Sequence, residues 1–578
     1  MAPRLRMLGC RWVCLLALAG CGSGDDSGEL AGDAGPGDQP DAGADEADDC
    51  VAPPTEYVGN QYDFGGARSP IDGTVPEVDG IADDIAASAA GTVAEVEAAR
   101  ARLPYGDIAP DPAAAPQLTV YPAPDGLTAS NQYRVTVEQD GGGENSFVYR
   151  ILARKPDSNR ELDTSWTSFS FAGEVTVKVE KLAGPATGCL VRPRVAAVET
   201  SFADGVCTFT LSRPGNLSVE FEPNIHNPIE HPMLVFANPP EVDVPDPDDP
   251  DVLYLGPGVH DLGRGVPIES GKTIYIAGGA WVNGAFLAAG PVDNVTIKGR
   301  GVISGLFMDT GNQDDNKDVP GIIDIPYRDS ENLLIEGITT VDAPRFNIRA
   351  LATHTTIHNV KTMSWWFSTD GLVAGNASVI EDSFTKVNDD SIKLHWGDLV
   401  VRRNVLWQLE NGGTFNLSWN IAEDVHTFHI YDNDVIHAEQ SPFDAQAIFR
   451  SRHAGPGHLH RYLFEDIRIE NATFRLFYLS IENNKWFEPT LGYGQISNLI
   501  FRNIHADTTF QQPNVIQGID ATHDVHEVTL EDVFTSGACL DSRQAGDFSL
   551  APASTDAIRI LRNRDGSCRT ATCTPSRR

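Results

Sequence analysis

A short pattern of one apolar residue, one variable residue, one Asn, Asp or Gly and a second apolar residue recurs along the C-terminal half of the chain. Clear copies occupy 335–338, 357–360, 464–467, 501–504 and 530–533, and looser copies occupy 380–384, 401–405 and 431–435. Their first positions are 22, 23, 21, 30, 33, 37 and 29 residues apart. Periods of this length indicate a stacked array. The β-branched residues and polar corners favour a parallel β-helix over leucine-rich repeats.

A different pattern precedes the repeats. Short runs that alternate apolar and polar residues, such as 133–137 and 175–179, are separated by Gly, Asp and Pro. Such runs predict an antiparallel β-sandwich. The segment 239–251, with five prolines and six acidic residues, reads as a boundary. The coils of a β-helix need capped edges, and we expect the sandwich to cap the first coil.

These patterns predict an all-β protein, a right-handed parallel β-helix preceded by an antiparallel β-sandwich. We assign 117–250 to the sandwich and its linker, 251–540 to the β-helix, which is the expected catalytic domain, and 541–578 to a tail with cysteines. The segment 51–116 stays uncertain, although its Ala-rich part, 81–103, has helical propensity.

The first twenty residues are typical of an export signal. Arg4, Arg6 and Arg11 precede an apolar run, 12–19, that is too short to span a bilayer. The following Leu-Ala-Gly-Cys, ending at Cys21, resembles a bacterial lipobox, which implies cleavage before Cys21 and acylation of its thiol. Residues 21–50 then form an acidic tether. We expect a lipid-anchored protein of the bacterial outer membrane or cell surface, or otherwise a secreted one.

The formal net charge of −38 is partly due to the tether, which has ten acidic and no basic residues between 22 and 49. This charge favours solubility, and it argues against a nucleic-acid partner. Six cysteines remain once Cys10, Cys14 and Cys21 are set aside. Among them we predict only the disulfide between Cys189 and Cys207, which bracket a predicted hairpin. No cysteine has metal-ligand spacing. We expect a monomer with neither metal nor cofactor.

Two groups of aspartates mark the predicted site. Asp370 precedes the pair Asp389 and Asp390 by 19 and 20 residues, close to the local repeat of 21 to 23. Stacking should bring them together, because neighbouring strands lie about 4.8 Å apart, and at least one pKa should then rise. Hydrolysis of a glycoside needs such a protonated acid beside a carboxylate. The alternative is that these aspartates only satisfy backbone groups at corners. The apolar alternation from Ile392 onward favours a strand with a local bulge at the pair.

Flat aromatic and polar side chains surround the aspartates in the sequence, and aromatic faces pack against sugar rings. The tryptophans on or near these coils are Trp365, Trp366, Trp396, Trp407, Trp419 and Trp486. For substrate binding we select Trp366, Trp396, Trp419, Lys393, Asn416, Arg450 and Arg452, with His453 as a further hydrogen-bonding candidate. Core packing for each tryptophan and solvation for each polar residue are the alternatives.

Three segments, 254–262, 275–286 and 295–305, resemble the opening coils of pectinase-like β-helix glycosidases. Thr369-Asp370-Gly371 and the run Val-Asn-Asp-Asp-Ser-Ile-Lys at 387–393 resemble glycoside hydrolase family 49, the dextranase and isopullulanase family. The similarity spans about 117–535. It implies inverting hydrolysis of dextran or another α-glucan, with Asp389 as the general acid and with Asp370 and Asp390 as the base and its partner in either order.

Three other functions stay open at this stage. Polygalacturonases of family 28 carry Gly-His-Gly and Arg-Ile-Lys motifs after their aspartates, whereas here 412–419 reads Gly-Gly-Thr-Phe-Asn-Leu-Ser-Trp and no Arg-Ile-Lys follows. This argues against uronic-acid substrates, although Arg450 and Arg452 keep an acidic glycan possible. A lyase and a non-catalytic glycan-binding surface protein are the other two. The preferred prediction is an endo-acting hydrolase of a neutral polysaccharide.

Overall fold

The computed structural model describes residues 75–110, 114–152, 163–308, 321–440, 445–540, 545–551, 553–556 and 558–561. The predicted export signal, the lipobox with Cys21, the acidic tether and most of the C-terminal tail lie outside the described residues. The described part begins with one helix, α1 (Val75–Arg100), in the segment where the sequence indicated helical propensity. No helix in this part is long and apolar enough to cross a membrane.

Eleven strands and a short 3₁₀ helix, Arg194–Ala196, follow α1 and build the sandwich. The strands are β1 (Gln117–Val120), β2 (Tyr133–Gln139), β3 (Gly142–Ser146), β4 (Val148–Leu152), β5 (Asp163–Ala172), β6 (Val175–Lys181), β7 (Cys189–Arg192), β8 (Thr200–Ala203), β9 (Val206–Leu211), β10 (Gly215–Phe221) and β11 (Met233–Asn238). One sheet has the order β1-β5-β11-β10-β7, with β4 also on β5, and the other has the order β3-β2-β6-β9-β8.

The two sheets face each other across an apolar core that includes Val135, Val177, Phe169 and Val235. Every pairing in them is antiparallel except that of β5 with β11, which is parallel. The predicted disulfide between Cys189 and Cys207 is confirmed, with Cα atoms 6.0 Å apart. The sandwich that the alternating runs predicted is therefore present.

The remaining strands form the β-helix. They are β12 (Val252–Leu255), β13 (Gly258–Pro267), β14 (Thr273–Ile276), β15 (Ala280–Leu287), β16 (Asp293–Gly299), β17 (Val302–Ser304), β18 (Ile323–Ile325), β19 (Glu331–Glu336), β20 (Thr339–Val341), β21 (Ile348–Ala350), β22 (Thr353–His358), β23 (Lys361–Ser364), β24 (Leu372–Ala374), β25 (Ser378–Glu381), β26 (Phe384–Val387), β27 (Ile392–Lys393), β28 (Leu399–Arg402), β29 (Val405–Gln408), β30 (Gly413–Ser418), β31 (Val425–Ala438), β32 (Ala447–His453), β33 (His458–Ala472), β34 (Phe477–Ile481), β35 (Gln495–Ala506), β36 (Asn514–Gln517), β37 (Val525–Thr535), β38 (Ala538–Cys539), β39 (Phe548–Leu550), β40 (Thr555–Asp556) and β41 (Arg559–Leu561).

Successive coils stack into three parallel sheets, which confirms the predicted right-handed parallel β-helix. Sheet I contains β14, β16, β19, β22, β25, β28, the first part of β31, β33, β35 and β37. Sheet II contains β17, β20, β23, β26, β29 and the second part of β31. Sheet III contains β18, β21, β24, β27, β30, β32, β34, β36 and β39.

The repeated apolar position forms one continuous stack inside sheet I. It is occupied by Ile335, Ile357, Ile380, Val401, Ile430, Phe464, Phe501 and Leu530. One prediction was wrong by a residue, since Ile430 and not Tyr431 continues the stack. A shift of one residue in a strand reverses the side that a side chain faces, and Tyr431 accordingly pairs with Arg402.

Helix α1 covers the outer face of sheet I. Its apolar residues pack on outward side chains of successive coils, with Ile85 near Leu463 and Ile500, and Val96 near Val379 and Val400. The outer face of this sheet therefore carries apolar residues that the helix removes from water.

The sandwich covers the outer face of sheet II. Tyr149, Trp166 and Phe236 of the sandwich join a cluster with β-helix residues from many coils, namely Trp281, Val302, Val341, Met363, Trp365, Phe384, Val405, Trp407, Leu409 and Ile436. The sandwich was expected to cap the first coil, but its apolar contacts extend along the side of many coils. An apolar face that extends over many coils has to be buried along its length, which a cap at one end cannot do.

Sheet III bears a row of polar and charged side chains on its outer side. In register on adjacent coils, Lys393 pairs with Asn416, Asn416 with Arg450, and Arg450 with Tyr478. The described contacts of α1 and of the sandwich core involve the other two sheets. The site therefore lies on the face that these two elements do not cover.

Candidate active site

The three aspartates lie at the edge of sheet III, where the chain enters it from sheet II. Asp370 stands between β23 and β24, and Asp389 and Asp390 stand in the bend between β26 and β27. The expected strand with a bulge at the pair was wrong. Side chains in a bend need not alternate as they do on a strand, so both carboxyls can face the same side.

Stacking brings the three carboxyls together, as the repeat spacing predicted. One oxygen from each lies within 4.8 Å of the others. All three side chains are buried, with relative exposures of 4% for Asp370, 6% for Asp389 and 0% for Asp390. Buried ionised groups have to be paired, because the interior solvates charge poorly.

Lys393 supplies the first compensating charge. Its Nζ lies 2.6 Å from Asp370 Oδ1 and 2.5 Å from Asp390 Oδ2. Burial opposes the charge of this ammonium, but Asp370, Asp390 and Asp389 outweigh it and raise the pKa of Lys393. The lysine therefore stays positive between two of the three carboxyls.

Asp390 is held by five donors. Its Oδ1 accepts hydrogen bonds from Gly413 N at 3.0 Å, Asn416 Nδ2 at 2.9 Å and Arg450 Nη1 at 3.3 Å. Its Oδ2 accepts from Lys393 Nζ and from Trp419 Nε1 at 2.9 Å. A carboxylate has about four lone-pair positions. The acceptor capacity of Asp390 is therefore used by the protein itself.

Asp389 has a different environment, in which three neutral donors contact the carboxyl. Its Oδ2 accepts from Ser368 N at 3.1 Å and Asn411 Nδ2 at 3.2 Å, and its Oδ1 accepts from the Asp390 N–H at 3.0 Å. The two adjacent aspartates thus differ in their contacts, although the sequence presents them as a matched pair.

The electrostatics follow these contacts. Burial raises the pKa of Asp389 to about 6, helped by the charge of Asp390 and opposed by Lys393. Burial also raises the pKa of Asp370 well above its usual range, against the effect of Lys393. For Asp390, burial is outweighed by Lys393, Arg450 and the other donors, which hold its pKa below the usual range. These directions agree with the predicted rise of at least one pKa.

A pair of glycines lets neighbouring coils approach the aspartates closely. Gly412 has a φ of +93°, and a Cβ there would lie 2.3 Å from the carbonyl carbon of Asp389. At Gly413 a Cβ would lie 2.7 Å from Cβ of Arg450. Only glycine fits such positions without displacing the backbone. The Gly-Gly that begins 412–419 therefore shapes the site.

The predicted substrate-binding residues divide into two groups. Lys393, Asn416, Arg450 and Trp419 contact Asp390 directly. Arg452 instead pairs with Glu482, and its guanidinium carbon lies 5.8 Å from the Trp419 ring centroid. Several of the residues predicted to bind sugar therefore contact the aspartates or one another.

The tryptophans also have different environments. Trp365 and Trp407, which were not selected for substrate binding, are buried among the residues beneath the sandwich, as the core-packing alternative predicts. Trp366 and Trp396 are half-buried, and Trp486 is 39% exposed. His453 was also misassigned as a ligand for hydroxyls, because it is fully buried between Ser418 Oγ and the Gly457 carbonyl.

Sequence reasoning missed two residues of the site. Asn411, which donates to Asp389, lies 22 residues after it, so the local repeat could have identified it. His395 Nε2 lies 3.0 Å from Asn416 Oδ1, and burial lowers the pKa of this histidine to about 4. The neutral imidazole donates to that amide oxygen, which leaves the Asn416 amino group to donate to Asp390.

Among the residues that the structure describes, two clusters have carboxylates close enough to share a cation. The three aspartates are one, and there Lys393 and Arg450 supply positive charge. His358, Glu381 and Asp382 are the other, and there Arg402 and Arg403 pair with the acids. In both clusters basic side chains of the protein balance the carboxylates.

The chain is similar in sequence to a dextranase and an isopullulanase, although no protein-family model matches it. The dextranase of Arthrobacter sp. (strain CB-8) is 24% identical over 359 residues, covering 48% of this chain and 56% of that protein. Isopullulanase from Aspergillus niger is 24% identical over 385 residues, covering 55% of this chain and 67% of that protein. The chain thus spans little more than half the length of the Arthrobacter dextranase.

The fold agrees with the sequence similarity. Dex49A from Penicillium minioluteum matches with a TM-score of 0.55 at 18% identity, over 76% of this chain and 96% of that one. The resemblance inferred from 369–371 and 387–393 is thus confirmed independently by sequence comparison and by fold. This protein is dextranase- and isopullulanase-like in sequence, resembles glycoside hydrolase family 49, and has the pectin-lyase-like β-helix fold of Dex49A.

Proposed function

We propose that the protein is a glycoside hydrolase that cleaves an α-glucan, with dextran as the first substrate to test. The observation that carries this proposal is the buried cluster of three aspartates in which one carboxyl is held ionised while burial raises the pKa of the other two. Carboxyls whose environments differ in this way suit acid-base hydrolysis of a glycosidic bond. The dextranase and isopullulanase relatives support the same substrate class.

We propose Asp389 as the general acid and Asp370 as the base. Five donors occupy the acceptor positions of Asp390, so this carboxylate serves as a fixed anion between Asp370 and Asp389. Lys393 lies against Asp370 and opposes the rise that burial causes in its pKa, whereas the donors Ser368 N–H and Asn411 Nδ2 at Asp389 are neutral. In the reaction Asp389 gives its proton to the glycosidic oxygen as the bond to the anomeric carbon breaks. Asp370 takes a proton from the water that attacks that carbon.

The charges around the site favour a neutral glycan. Arg450 pairs with Asp390 and Arg452 pairs with Glu482, so both arginines already have carboxylate partners within the protein. A uronate or sulfate would have to compete with these acids. The acidic substrate that Arg450 and Arg452 kept open is therefore disfavoured.

Release of reducing ends from dextran, pullulan, arabinan and pectin tests this proposal. We expect activity on one of the two α-glucans and its loss in Asp389→Asn. Asp398→Asn is the matched control, because that carboxyl is 45% exposed at a corner of the β-helix. Full activity in Asp389→Asn would contradict the assignment. Unsaturated products that absorb ultraviolet light would indicate a lyase, and binding of glycans without cleavage would indicate a surface adhesin.

We also propose inversion and endo action, both taken from the family resemblance. Closely spaced carboxyls are typical of retaining enzymes, so the stereochemistry needs its own measurement. Proton NMR of the first product from an α-glucan should show the β-anomer, and the α-anomer would contradict inversion. Rapid loss of polymer length at low conversion would support endo action, and steady release of one small sugar would contradict it.

We further propose that the protein is exported and lipid-anchored through Cys21, on the basis of the Leu-Ala-Gly-Cys motif. Cells grown with labelled fatty acid should incorporate the label into the protein and carry it in the membrane fraction. Cys21→Ala should abolish both labelling and membrane association. Labelling that persists in this variant would contradict the proposal.

A further inference from the structure

The loop at 482–494, between β34 and β35, is firmly attached to the coils below it. Glu482 N donates to the His453 carbonyl at 2.9 Å, and Asn484 Nδ2 donates to the Arg452 carbonyl at 3.0 Å. The rings of Phe487 and Tyr493 stack at 4.1 Å, and Tyr493 packs against the β-helix core. These contacts fix both the start and the end of the loop.

This well-anchored loop nevertheless exposes a large aromatic residue. Trp486 is 39% exposed, and its backbone N–H donates to Asn484 Oδ1 at 2.8 Å. Exposure of the apolar indole surface to water is less favourable in free energy than its burial. A tryptophan held in that state by a fixed loop is typical of a ligand-binding surface, where aromatic faces meet an apolar partner.

Trp486 also lies beside the aspartates. Its ring centroid is 6.1 Å from that of Trp419 in an edge-to-face arrangement, and Trp419 donates its indole N–H to Asp390. The Arg450 guanidinium covers one face of Trp419, with its carbon 4.4 Å from the ring centroid. Trp419 is thus engaged by its neighbours, and Trp486 is the more accessible of the two rings.

We infer that Trp486 is a sugar-binding platform that packs against a pyranose ring of the bound glucan next to the point of cleavage. The inference rests on the proposed function for the identity of the ligand. Lys485 Nζ lies over one face of the Trp486 ring, 4.8 Å from its centroid, so the sugar ring would pack on the opposite face. The loop 482–494 thus contributes a subsite beyond the aspartate cluster.

Kinetics on the polymeric substrate test the platform. We expect Trp486→Ala to raise KM for the polymer about tenfold, with kcat changed less than twofold, because one aromatic contact is lost outside the reacting centre. Trp486→Tyr should recover most of the affinity, since it keeps a flat ring. Leu491→Ala is the matched control, because Leu491 is 57% exposed on the same loop. An unchanged KM in Trp486→Ala, or an equal change in Leu491→Ala, would overturn the inference.

A binding assay separates the platform from the hydrolase assignment. Affinity electrophoresis in gels that contain dextran or pullulan uses the full chain carrying Asp389→Asn, with and without Trp486→Ala. Retardation that Trp486→Ala removes supports the platform, even if the unaltered protein hydrolyses neither glucan and the proposed function fails. Equal retardation of the two proteins, or retardation of neither, overturns the platform, whatever the hydrolysis assay shows.

Discussion

The ammonium of Lys393 lies 2.5 Å from Oδ2 of Asp390, three residues earlier in the chain, and both side chains are buried. Lys393 and Arg450 are the two cations of the site, and they face the three carboxyls of the aspartates. A buried cluster favours overall neutrality. One proton is therefore retained among the carboxyls, and the contacts of Asp389 and Asp370 determine which of them carries it.

The pKa of about 6 at Asp389 predicts a pH dependence of activity. If Asp389 is the acid, kcat should fall as the pH rises above about 6, because the proton is then lost. The pH profile of initial rates measures this. A profile that stays flat between about pH 5 and about pH 8, on both sides of the pKa of Asp389, would contradict the role of Asp389.

The same pKa predicts that Asp389→Asn stabilises the protein at neutral pH. A carboxyl whose folded-state pKa is raised binds its proton more tightly when folded, so its stabilising effect is present at low pH and is lost as the pH rises from about 4 to about 6. An amide has no such loss. We expect the variant to gain about 3 kcal/mol in unfolding free energy at pH 7.5, with a smaller gain below the ordinary pKa of about 4. Denaturant unfolding at the two pH values measures it. A variant less stable at pH 7.5 would contradict this prediction.

Lys393→Met should harm both activity and stability. Without the ammonium, the pKa of Asp370 should rise further and Asp390 should lose one of its two cationic partners. We expect kcat to fall on the order of 100-fold and the acidic limb of its pH profile to move to higher pH. Breaking a buried ion pair costs about 3–5 kcal/mol, which thermal unfolding would show. Lys272→Met is the control, because Lys272 is 40% exposed on an early coil.

Asn416→Asp should inactivate the protein through charge repulsion. The amide donates to Asp390 Oδ1 at 2.9 Å, and a carboxyl in its place would remove that donor and set a like charge there. We expect a loss of activity on the order of 100-fold at pH 7, with partial recovery at pH 5 as the introduced carboxyl takes up a proton. Equal loss at both pH values would indicate a steric effect instead. Initial rates at the two pH values separate these outcomes.

Gly412→Ala should disrupt the site, because a Cβ there would lie 2.3 Å from the Asp389 carbonyl carbon and φ is +93°. We expect a loss of about 3 kcal/mol of stability together with most of the activity. Gly290→Ala, where a Cβ would meet nothing within 4 Å, should leave both unchanged. Thermal unfolding and initial rates of the two variants check this. Normal activity in Gly412→Ala would contradict the close approach.

Much of this protein follows from the sequence itself. The spacing of residues such as Ile335 and Ile357 predicted the coils, because stacked coils repeat one apolar position at a fixed interval. The same interval brought Asp370 near Asp389 and could have added Asn411. Local alternation predicted the sandwich, and the predicted hairpin between Cys189 and Cys207 suggested their disulfide.

Only the tertiary structure determined which elements pack against the outer faces of the three sheets. Trp365 and Trp407 are core residues because the sandwich packs along sheet II. Sheet III stays open because the sandwich covers sheet II and α1 covers sheet I. The unequal environments of Asp389 and Asp390 likewise depend on donors that reach them from later coils. A repeat specifies neighbours along its own axis, whereas the contacts across its faces join segments hundreds of residues apart, as in Arg192 with Glu470. Their geometry is set by packing and not by local sequence.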